Sequence, residues 1–531
     1  MRKMMTMTTC LLRCLAVVVP LISTSEALKV LQFNPGVGRS HMIFQNRISE
    51  VFLDRGHSCS QWQLGDKRVD WSALQLDRAN YSFHMHHWQM SEELLEVYRR
   101  MTFGRYGPRE AMHQLRLFQE GWADTCTQQI DAVLSDDNPF CSLKGTMDYD
   151  ALILDAFHIC SLLISALNSQ NVGRAAIMNH GCYFLPWYVP SGLSHFDDRM
   201  DFWQRLDNLL SYQIYEWVPL VDFTSSNFQK VANHLRTSER FKGLARKRPG
   251  ILAPLDYEAL VKRVPVIFVN GEPLLDFPRP VAYGVHYLSA LTKPQVESKG
   301  ALDSHWENLL GNTETRGVIL FSLGSIAKTS DLPDDVMFEF LKAMIEVSSN
   351  YTVIWKFDHP SLPDVSQHKS LHVVSWQPQK EILVHRRTKL FITHGGYNSL
   401  QEATNAGVPL LLLPFFLDQP GNARRAQRLG MGLTLEKEEW RSDLMVHRML
   451  MILNDDRFAQ RTRKVREMMA TRMLTAQETL LHRIESLSRR DYSPFTNFRG
   501  AQKLRLLQYH SVDIVLLVGA LSAALSVALS H

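Results

Sequence analysis

Short apolar runs, each followed by turn or helix signals, recur along the chain and predict buried strands of parallel sheets joined by crossover helices. In the first half the runs are Leu28–Phe33, Ala151–Leu154 and Ala175–Met178. In the second half they are Val318–Phe321, Thr352–Trp355, His372–Val374, Leu390–Ile392 and Leu410–Leu413. A short helix, Ser399–Asn405, opens after a Gly-Gly pair. Two α/β halves fit this pattern better than one continuous sheet.

The connection between the halves is predicted from residues that break regular structure. A chain of 531 residues is too long for one hydrophobic core, so two domains of about 200 residues or more are expected. Gly271, Pro273, Pro278 and Pro280 interrupt the chain within ten residues, and each proline restricts the local backbone. We assign the N-terminal domain, the linker and the C-terminal domain to residues 28–275, 276–311 and 312–470.

The N-terminus has the order of residues that is typical of a secretory signal peptide, which we assign to residues 1–27. Arg2 and Lys3 precede an apolar stretch, Cys10–Ile22, and small residues then lead to Ala27. A buried first helix or a membrane anchor is the alternative. The apolar run is short for either, and a strand-like segment follows at once.

The C-terminus predicts a transmembrane helix at residues 512–530. Ile514–Leu529 contains 16 residues without a charge, which span about 24 Å as a helix, against about 30 Å of hydrocarbon core. A buried terminal helix and a lipid-anchor signal are the alternatives. Arg499, Lys503 and Arg505 precede the span, and the positive-inside rule alone would place the body in the cytosol. The signal peptide instead predicts a luminal body.

Composition excludes some classes of function. The net charge is +4, and no Lys/Arg stripe with interleaved aromatics is present, so nucleic-acid binding is not predicted. The cluster of His84, His86 and His87 fits no metal-site spacing and is predicted to lie in a loop. We therefore expect no metal site.

The cysteines and two sequons are compatible with a luminal chain. Seven cysteines are present, and five remain after signal cleavage, all in the first half. Their number is odd and no spacing resembles a zinc site, so one or two disulfides of undetermined pairing are expected. Asn80 and Asn350 begin N-x-Ser/Thr sequons and are the glycosylation candidates.

The segment from Trp376 to Gln419 contains the parts that binding a sugar nucleotide requires. Trp376 offers a flat apolar face for a uracil ring, and Gln379 can bond polar edges. A strand runs into His394-Gly-Gly and a helix begins near Asn398. This arrangement points backbone N–H groups and the positive end of a helix dipole toward an anion.

Further along, Glu402 can accept from ribose hydroxyls, and Asp418 with Gln419 can bind sugar hydroxyls. Each feature alone has an ordinary alternative. A Trp before Pro is commonly a core residue, a Gly-Gly pair is commonly a turn, and Asp-Gln can simply start a helix. The ordered combination is what predicts a sugar-nucleotide site.

This segment closely resembles the signature of the UDP-glycosyltransferases, whose donor box starts at a Trp and ends at an Asp-Gln or Glu-Gln pair. The 44 residues of Trp376–Gln419 match the family spacing. Two other segments resemble parts of the family: Ser322–Ser325 its phosphate-proximal loop, and Tyr188–Pro190 with Met200 and Arg205 a first-domain segment. Asp276–Pro280 resembles the interdomain stretch of the animal enzymes, and Gln508–Asp513 resembles the animal, endoplasmic-reticulum form.

The resemblance implies a GT-B fold, in which two Rossmann-like domains face each other across a cleft. The N-terminal domain would bind the acceptor and the C-terminal domain the UDP-sugar. Residues 471–511 would form helices that cross back to the first domain. The resemblance implies that Trp376 stacks the uracil with Gln379 beside it, and that Glu402 binds the ribose. Asp418 and Gln419 would hold the transferred sugar. The residues that would surround the diphosphate are Ser325, Thr393, His394, Asn398 and Ser399.

A catalytic pair is predicted upstream of the donor box. After the first strand, Pro35–His41 resembles the family's first loop, and His41 falls at its catalytic histidine. A neutral His suits removal of an acceptor proton. Asp155, after an apolar strand, falls at the partner aspartate, which would orient the imidazole. A helix cap is the ordinary alternative for Asp155 alone.

The function implied is inverting transfer of a hexosyl group, glucose or glucuronic acid, from a UDP-sugar to a hydroxyl of a small lipophilic acceptor. No cofactor and no obligatory metal are expected. The resemblance implies a single-pass endoplasmic-reticulum membrane protein with luminal domains, and a homo-oligomer is left open. The alternatives are a catalytically silent UDP-sugar-binding membrane protein and a cytosolic transferase. The sequence leaves the sugar and the acceptor undetermined.

Overall fold

The structure is a computed structural model of the 531-residue chain. The residues that it describes are 27–34, 39–66, 75–89, 91–104, 108–133, 149–155, 175–179, 196–208, 223–247, 264–279, 281, 284–289, 291, 302–324, 329–357, 359, 361–416, 418–489, 516–517 and 519–524. The predicted signal segment therefore lies outside them up to residue 26, as does most of 512–530. Within the described part of the chain, no helix is long and apolar enough to cross a membrane.

The first sheet has seven parallel strands in the order β3-β2-β1-β4-β5-β6-β7. They are β1 (Lys29–Asn34), β2 (Ser58–Asp66), β3 (Tyr81–Trp88), β4 (Ala151–Asp155), β5 (Ala175–Asn179), β6 (Val266–Val269) and β7 (Val285–Tyr287). The order changes direction between β1 and β4, as it does in doubly wound nucleotide-binding folds.

Helices connect and cover the strands of this sheet. They are α1 (Arg39–Leu53), α2 (Glu92–Phe103), α3 (Pro108–Val133), α4 (Phe223–Thr237) and α5 (Glu239–Lys247). Ile48 and Phe52 of α1 are buried in a core shared with Val30 and Ile153 of the strands. The apolar face of α1 therefore fixes the helix that follows β1, which carries His41.

The second sheet has six parallel strands in the order β10-β9-β8-β11-β12-β13. They are β8 (Val318–Ser322), β9 (Thr352–Lys356), β10 (Leu371–Val374), β11 (Thr388–Thr393), β12 (Leu410–Leu412) and β13 (Gly432–Thr434). Phe321 and Trp355 stack on neighbouring strands with ring centroids 5.4 Å apart. Both are fully buried, as the uninterrupted apolar runs predict for a sheet covered on both faces.

The helices of the second half complete the same architecture. They are α6 (Ser304–Gly311), α7 (Asp334–Ser348), α8 (Gln379–Val384), α9 (Tyr397–Ala406), α10 (Gln419–Arg428), α11 (Ser442–Leu453), α12 (Asp456–Ala470) and α13 (Ala476–Arg489). Leu480 and Ile484 of α13 are buried in the core of the first sheet. The chain thus returns to the first domain after α12.

Several features of the first half differ from the prediction: strands β2, β3, β6 and β7 were not among the predicted runs, although β6 is apolar throughout. The cluster His84, His86 and His87 lies in strand β3 and not in a loop, where the ring of His84 lies 5.2 Å from that of Trp62. Strand β7 lies inside 276–311, so the segment assigned to the linker also completes the first sheet. Both strands escaped prediction because polar side chains interrupt the apolar pattern.

Candidate active site

Each sheet has a topological switch point, where the strands on either side connect in opposite directions. In open α/β sheets ligands bind outside the carboxyl ends of the strands at this point. In the first sheet the point lies between β1 and β4, and in the second between β8 and β11. The described residues predicted for catalysis and for diphosphate binding lie at these two points.

The first switch point carries the predicted catalytic pair. His41 is the third residue of α1, on the first turn after β1, and it is half-buried. Asp155 is the last residue of β4, and Leu154 before it pairs with Phe33 of β1. The carboxyl ends of these adjacent parallel strands therefore bring the two residues to the same edge of the sheet.

The second switch point is built around the ring of His394. Gly324 follows β8 with φ of +82°, and a Cβ there would lie 2.6 Å from His394 Cε1. A Cβ at Gly396 would lie 2.5 Å from His394 Nε2. Only glycine at both positions lets the two backbone segments close on the imidazole. Ser325, predicted to contact the diphosphate, lies outside the described residues.

The N-terminus of α9 has the geometry that suits an anion. Gly396 is its N-cap and supplies no side-chain hydrogen bond, so the first-turn N–H groups keep their capacity to donate to a ligand. Among the described residues, the side-chain oxygen of Asn398 is buried without a hydrogen-bond partner. Asn398 and Ser399 therefore stand at the helix end where the sequence predicts a diphosphate.

A cation that the sequence analysis missed lies beside this helix end. Lys356 ends β9, and its Nζ donates to the carbonyl of Gly324 at 2.9 Å. Burial, with a smaller contribution from Lys356, lowers the pKa of His394 from 6.5 to about 4. His394 is therefore neutral near pH 7, and positive charge here comes from Lys356. A Lys at the end of an apolar strand was the signal for it.

The nucleoside end of the predicted site contains an exposed ring and a preformed polar cluster. Trp376 is 67% exposed, so its face is open to a base. Gln379 Nε2 donates to Glu402 Oε2 at 2.7 Å and to Ser399 Oγ at 3.4 Å. The structure thus brings together three residues predicted for uracil, ribose and phosphate.

The sugar end lies where α10 begins. Asp418 is its N-cap residue and is exposed, whereas Gln419 is buried. Gln419 Oε1 accepts from the backbone N–H of Phe415 at 2.9 Å. Its carbonyl oxygen therefore holds the preceding loop, which leaves its amide N–H₂ as the group to offer a sugar hydroxyl. Thr393, also predicted here, is fully buried at the end of β11.

The first domain reaches this loop through α2. Phe103 lies 5.6 Å from Phe415 and Tyr98 lies 5.5 Å from Phe416, measured between ring centroids. Lys437 Nζ donates to the carbonyl oxygens of Met101 and Gly104 at 3.3 and 3.1 Å. The helix that follows β3 is thereby fixed against the loop before Asp418.

The two domains also meet beside Glu402, the carboxylate predicted to bind the ribose. Arg47 Nη2 of α1 lies 3.9 Å from Glu402 Oε1 of α9, and both side chains are largely buried. Arg47 is on the same helix as His41, so this ion pair links the helix after the first switch point to the helix after the second. In the described part of the chain no cluster of three or more His, Cys, Asp or Glu could hold a metal.

Comparison with known proteins gives the family. Residues 29–529 match the model of the family described as UDP-glucoronosyl and UDP-glucosyl transferase. The Caenorhabditis elegans protein ugt-60 is 26% identical over 516 residues, which cover 94% of this chain and 96% of that protein. UDP-glucuronosyltransferase 1A9 of Mus musculus is 24% identical over 494 residues, covering 90% and 86%.

The fold is that of solved glycosyltransferases. Phytolacca americana UGT2, solved with UDP-2fluoro-glucose and pterostilbene, superposes with a TM-score of 0.56 at 16% identity, over 87% of this chain and 100% of that one. This confirms the predicted GT-B arrangement of two parallel α/β sheets. The chain belongs to the UDP-glucuronosyl and UDP-glucosyl transferase family and is a UDP-glycosyltransferase that transfers sugar from a UDP-sugar.

Proposed function

We propose that the protein transfers a hexosyl group with inversion to a hydroxyl of a small lipophilic acceptor, with His41 as the general base. The acceptor oxygen attacks the anomeric carbon as the bond from that carbon to the β-phosphate oxygen breaks. The acceptor proton passes to His41, and UDP leaves with the bonding electron pair. Asp155 orients the imidazole and stabilises the imidazolium that forms.

The observation that carries this proposal is the contact between Arg47 and Glu402. It joins the helix of His41 to the helix whose N-terminus is the anion site. A base on the first helix can then act on an acceptor next to a sugar whose diphosphate lies at the second. A site that only bound UDP-sugar would have no need of a base at that edge.

The groups that stabilise the leaving diphosphate follow from the second switch point. In this proposal the first-turn N–H groups of α9 donate to phosphate oxygens, and Lys356 neutralises part of the developing charge. His394 donates through its neutral ring N–H. Because these donors are already in place, we propose that the reaction needs no cofactor and no obligatory metal.

The proposal also includes the cellular setting. We place the protein in the endoplasmic-reticulum membrane with its domains luminal. Cys126 forms a disulfide, which is typical of oxidising compartments, and Asn80 and Asn350 are both exposed. Glycosylation of either asparagine in cells would support this placement, and a chain in the cytosolic fraction with both unmodified would overturn it.

The direct test is a donor screen on the purified protein. UDP-glucose and UDP-glucuronic acid are offered with a panel of lipophilic phenols and alcohols, and UDP release is measured together with the glycoside formed. We expect glycoside in amounts equal to UDP, and neither from the Asp155→Asn variant above about 1% of the wild-type rate. UDP-sugar binding without any glycoside would favour the catalytically silent alternative.

A further inference from the structure

A buried carboxylate on the first-domain side stands next to the donor helix α10. Asp276 Oδ1 accepts from Arg425 Nε at 2.9 Å, and its other oxygen is paired with Arg279. Tyr287 donates its hydroxyl to the same carboxylate at 3.2 Å. The charge of Asp276 is compensated by both guanidinium groups, which hold its pKa below the usual value against the opposing effect of burial.

Hydrogen bonds continue from this ion pair to the sugar end of the site. Arg425 Nη1 donates to Asn422 Oδ1 at 2.9 Å, and Asn422 Nδ2 donates to Asp418 Oδ2 at 2.8 Å. The same Nδ2 donates to the carbonyl of Gly395 at 3.0 Å. Asn422 is 1% exposed. An unbroken chain therefore joins Asp276 to Asp418.

The donor and acceptor groups of these side chains fix the direction of each hydrogen bond between Asp276 and Asp418. An amide side chain has one accepting and one donating end, and rotation by half a turn exchanges them. Arg425 has no acceptor atom, so it accepts only the orientation in which Asn422 turns its oxygen to the guanidinium. That orientation aims Nδ2 at the carboxylate of Asp418, which is an exposed residue at the start of α10.

We propose that Arg425 is a positioning residue, anchored by Asp276, which orients the Asp418 carboxylate for the hydroxyls of the transferred sugar. This inference rests on the proposed role of Asp418 in sugar binding. It assigns Arg425 a larger effect on the sugar than on UDP, because the uracil and ribose contacts at Trp376, Gln379 and Glu402 do not belong to the chain.

The variant Arg425→Met tests the proposal with little risk to the fold. It leaves Asp276 paired with Arg279, so no buried carboxylate loses all its charge compensation. The control is Arg424→Met, one residue earlier on the same helix, whose Nη2 pairs with Glu436 at 2.8 Å. Arg425→Lys restores the charge without the second, fixed donor and serves as the conservative variant.

Two affinities are compared for each variant: KM for UDP-glucose and for UDP-glucuronic acid in the transfer reaction, and Kd for UDP by calorimetry. For Arg425→Met we expect KM for the donor used to rise about tenfold while Kd for UDP stays within about twofold. Arg425→Lys should fall between, and Arg424→Met should match the wild type in both quantities.

A general structural role would instead raise Kd for UDP by the same factor, or leave KM unchanged, and either result overturns the proposal. If Arg425→Met does not fold, the comparison rests on Arg425→Lys, with the same two outcomes. The Trp376→Ala variant tests the proposed function itself, separately from the role of Arg425. If that variant binds UDP as tightly as wild type, the donor site is elsewhere.

Discussion

Apart from the seventh strand of the first sheet, the two sheets of this protein have the same strand order and the same direction of strands, yet their switch points carry different chemistry. At the first, between β1 and β4, stand a half-buried histidine and an aspartate. At the second, between β8 and β11, stand glycines packed on a neutral imidazole and an uncapped helix N-terminus. One edge is suited to moving a proton and the other to holding an anion.

The two sheets also differ in the polarity of the side chains that their strands bury. The strands of the second sheet bury aromatic and aliphatic side chains such as Phe321, Trp355 and Phe391. In the first sheet, Gln32, Asn34, Gln61 and Gln63 of β1 and β2 are buried next to one another. The same topology therefore carries an apolar interior in the second sheet and buried polar side chains in the first.

Replacing His41 by Ala is expected to give the largest effect. Loss of the general base should lower kcat by about 10²- to 10⁴-fold, because His41 takes the acceptor proton in the proposed mechanism. The quantity to measure is kcat for glycoside formation at saturating donor and acceptor. Full turnover by this variant would remove the distinction between the two switch points.

Replacing Trp376 by Ala should weaken UDP binding by about tenfold, since stacking of an aromatic residue on a base contributes about 1–3 kcal/mol. The side chain is 67% exposed, so the melting temperature should not change. Calorimetric titration with UDP measures the effect, with Phe338→Ala, another exposed aromatic of the second domain, as the control. Equal losses in both variants would show that the effect is not specific to the site.

The free energy of unfolding should depend on pH through His394, which lies at the second switch point. Its pKa of about 4 in the folded protein lies below the ordinary 6.5, so protonation favours the unfolded state. The contribution of neutral His394 to the free energy of unfolding is complete above pH 6.5 and is lost as the pH falls from 6.5 toward 4.

Urea unfolding at about pH 7 and pH 4.5 should therefore show a loss on the order of 2 kcal/mol that His394→Gln does not share. The difference between the two proteins is the measured quantity, because other groups titrate in both. A variant with the same loss as the wild type would mean that another group is responsible.

Removal of divalent cations should have the smallest effect. If Lys356 and the amides of α9 supply the stabilisation of the leaving diphosphate, excess EDTA should leave the transfer rate unchanged. The assay is UDP release before and after chelation. Loss of activity that added Mg²⁺ restores would place a metal at the second switch point.

The second domain was the more predictable half because most of its strands are apolar runs, and of the six strands of its sheet only β13 was not predicted. Each run predicted there became a strand within two residues at either end, and the helix expected near Asn398 begins at Tyr397. Strands β2 and β3 were missed because Gln61, Gln63 and the histidines break the apolar pattern. Their burial depends on partners on other strands and helices, which no local pattern records.

The residues of the candidate site also divide into those that the sequence predicted and those that it did not. Sequence spacing was enough to bring Trp376, Gln379 and Glu402 into one region, since they belong to a single continuous segment. Arg47, Lys356 and Arg425 were not predicted, because each acts on a residue that is distant in the chain or on another element. From the sequence alone a charged residue is expected to face solvent, and only the tertiary structure shows its partner.

The division of labour between the two switch points is tested most directly by titrating UDP into the His41→Ala variant and measuring its Kd. The nucleotide is bound by the second sheet in this account, so the variant should bind UDP within about twofold of the wild-type affinity. A loss of about tenfold or more would contradict it, because His41 would then belong to the nucleotide site and not to the chemistry alone.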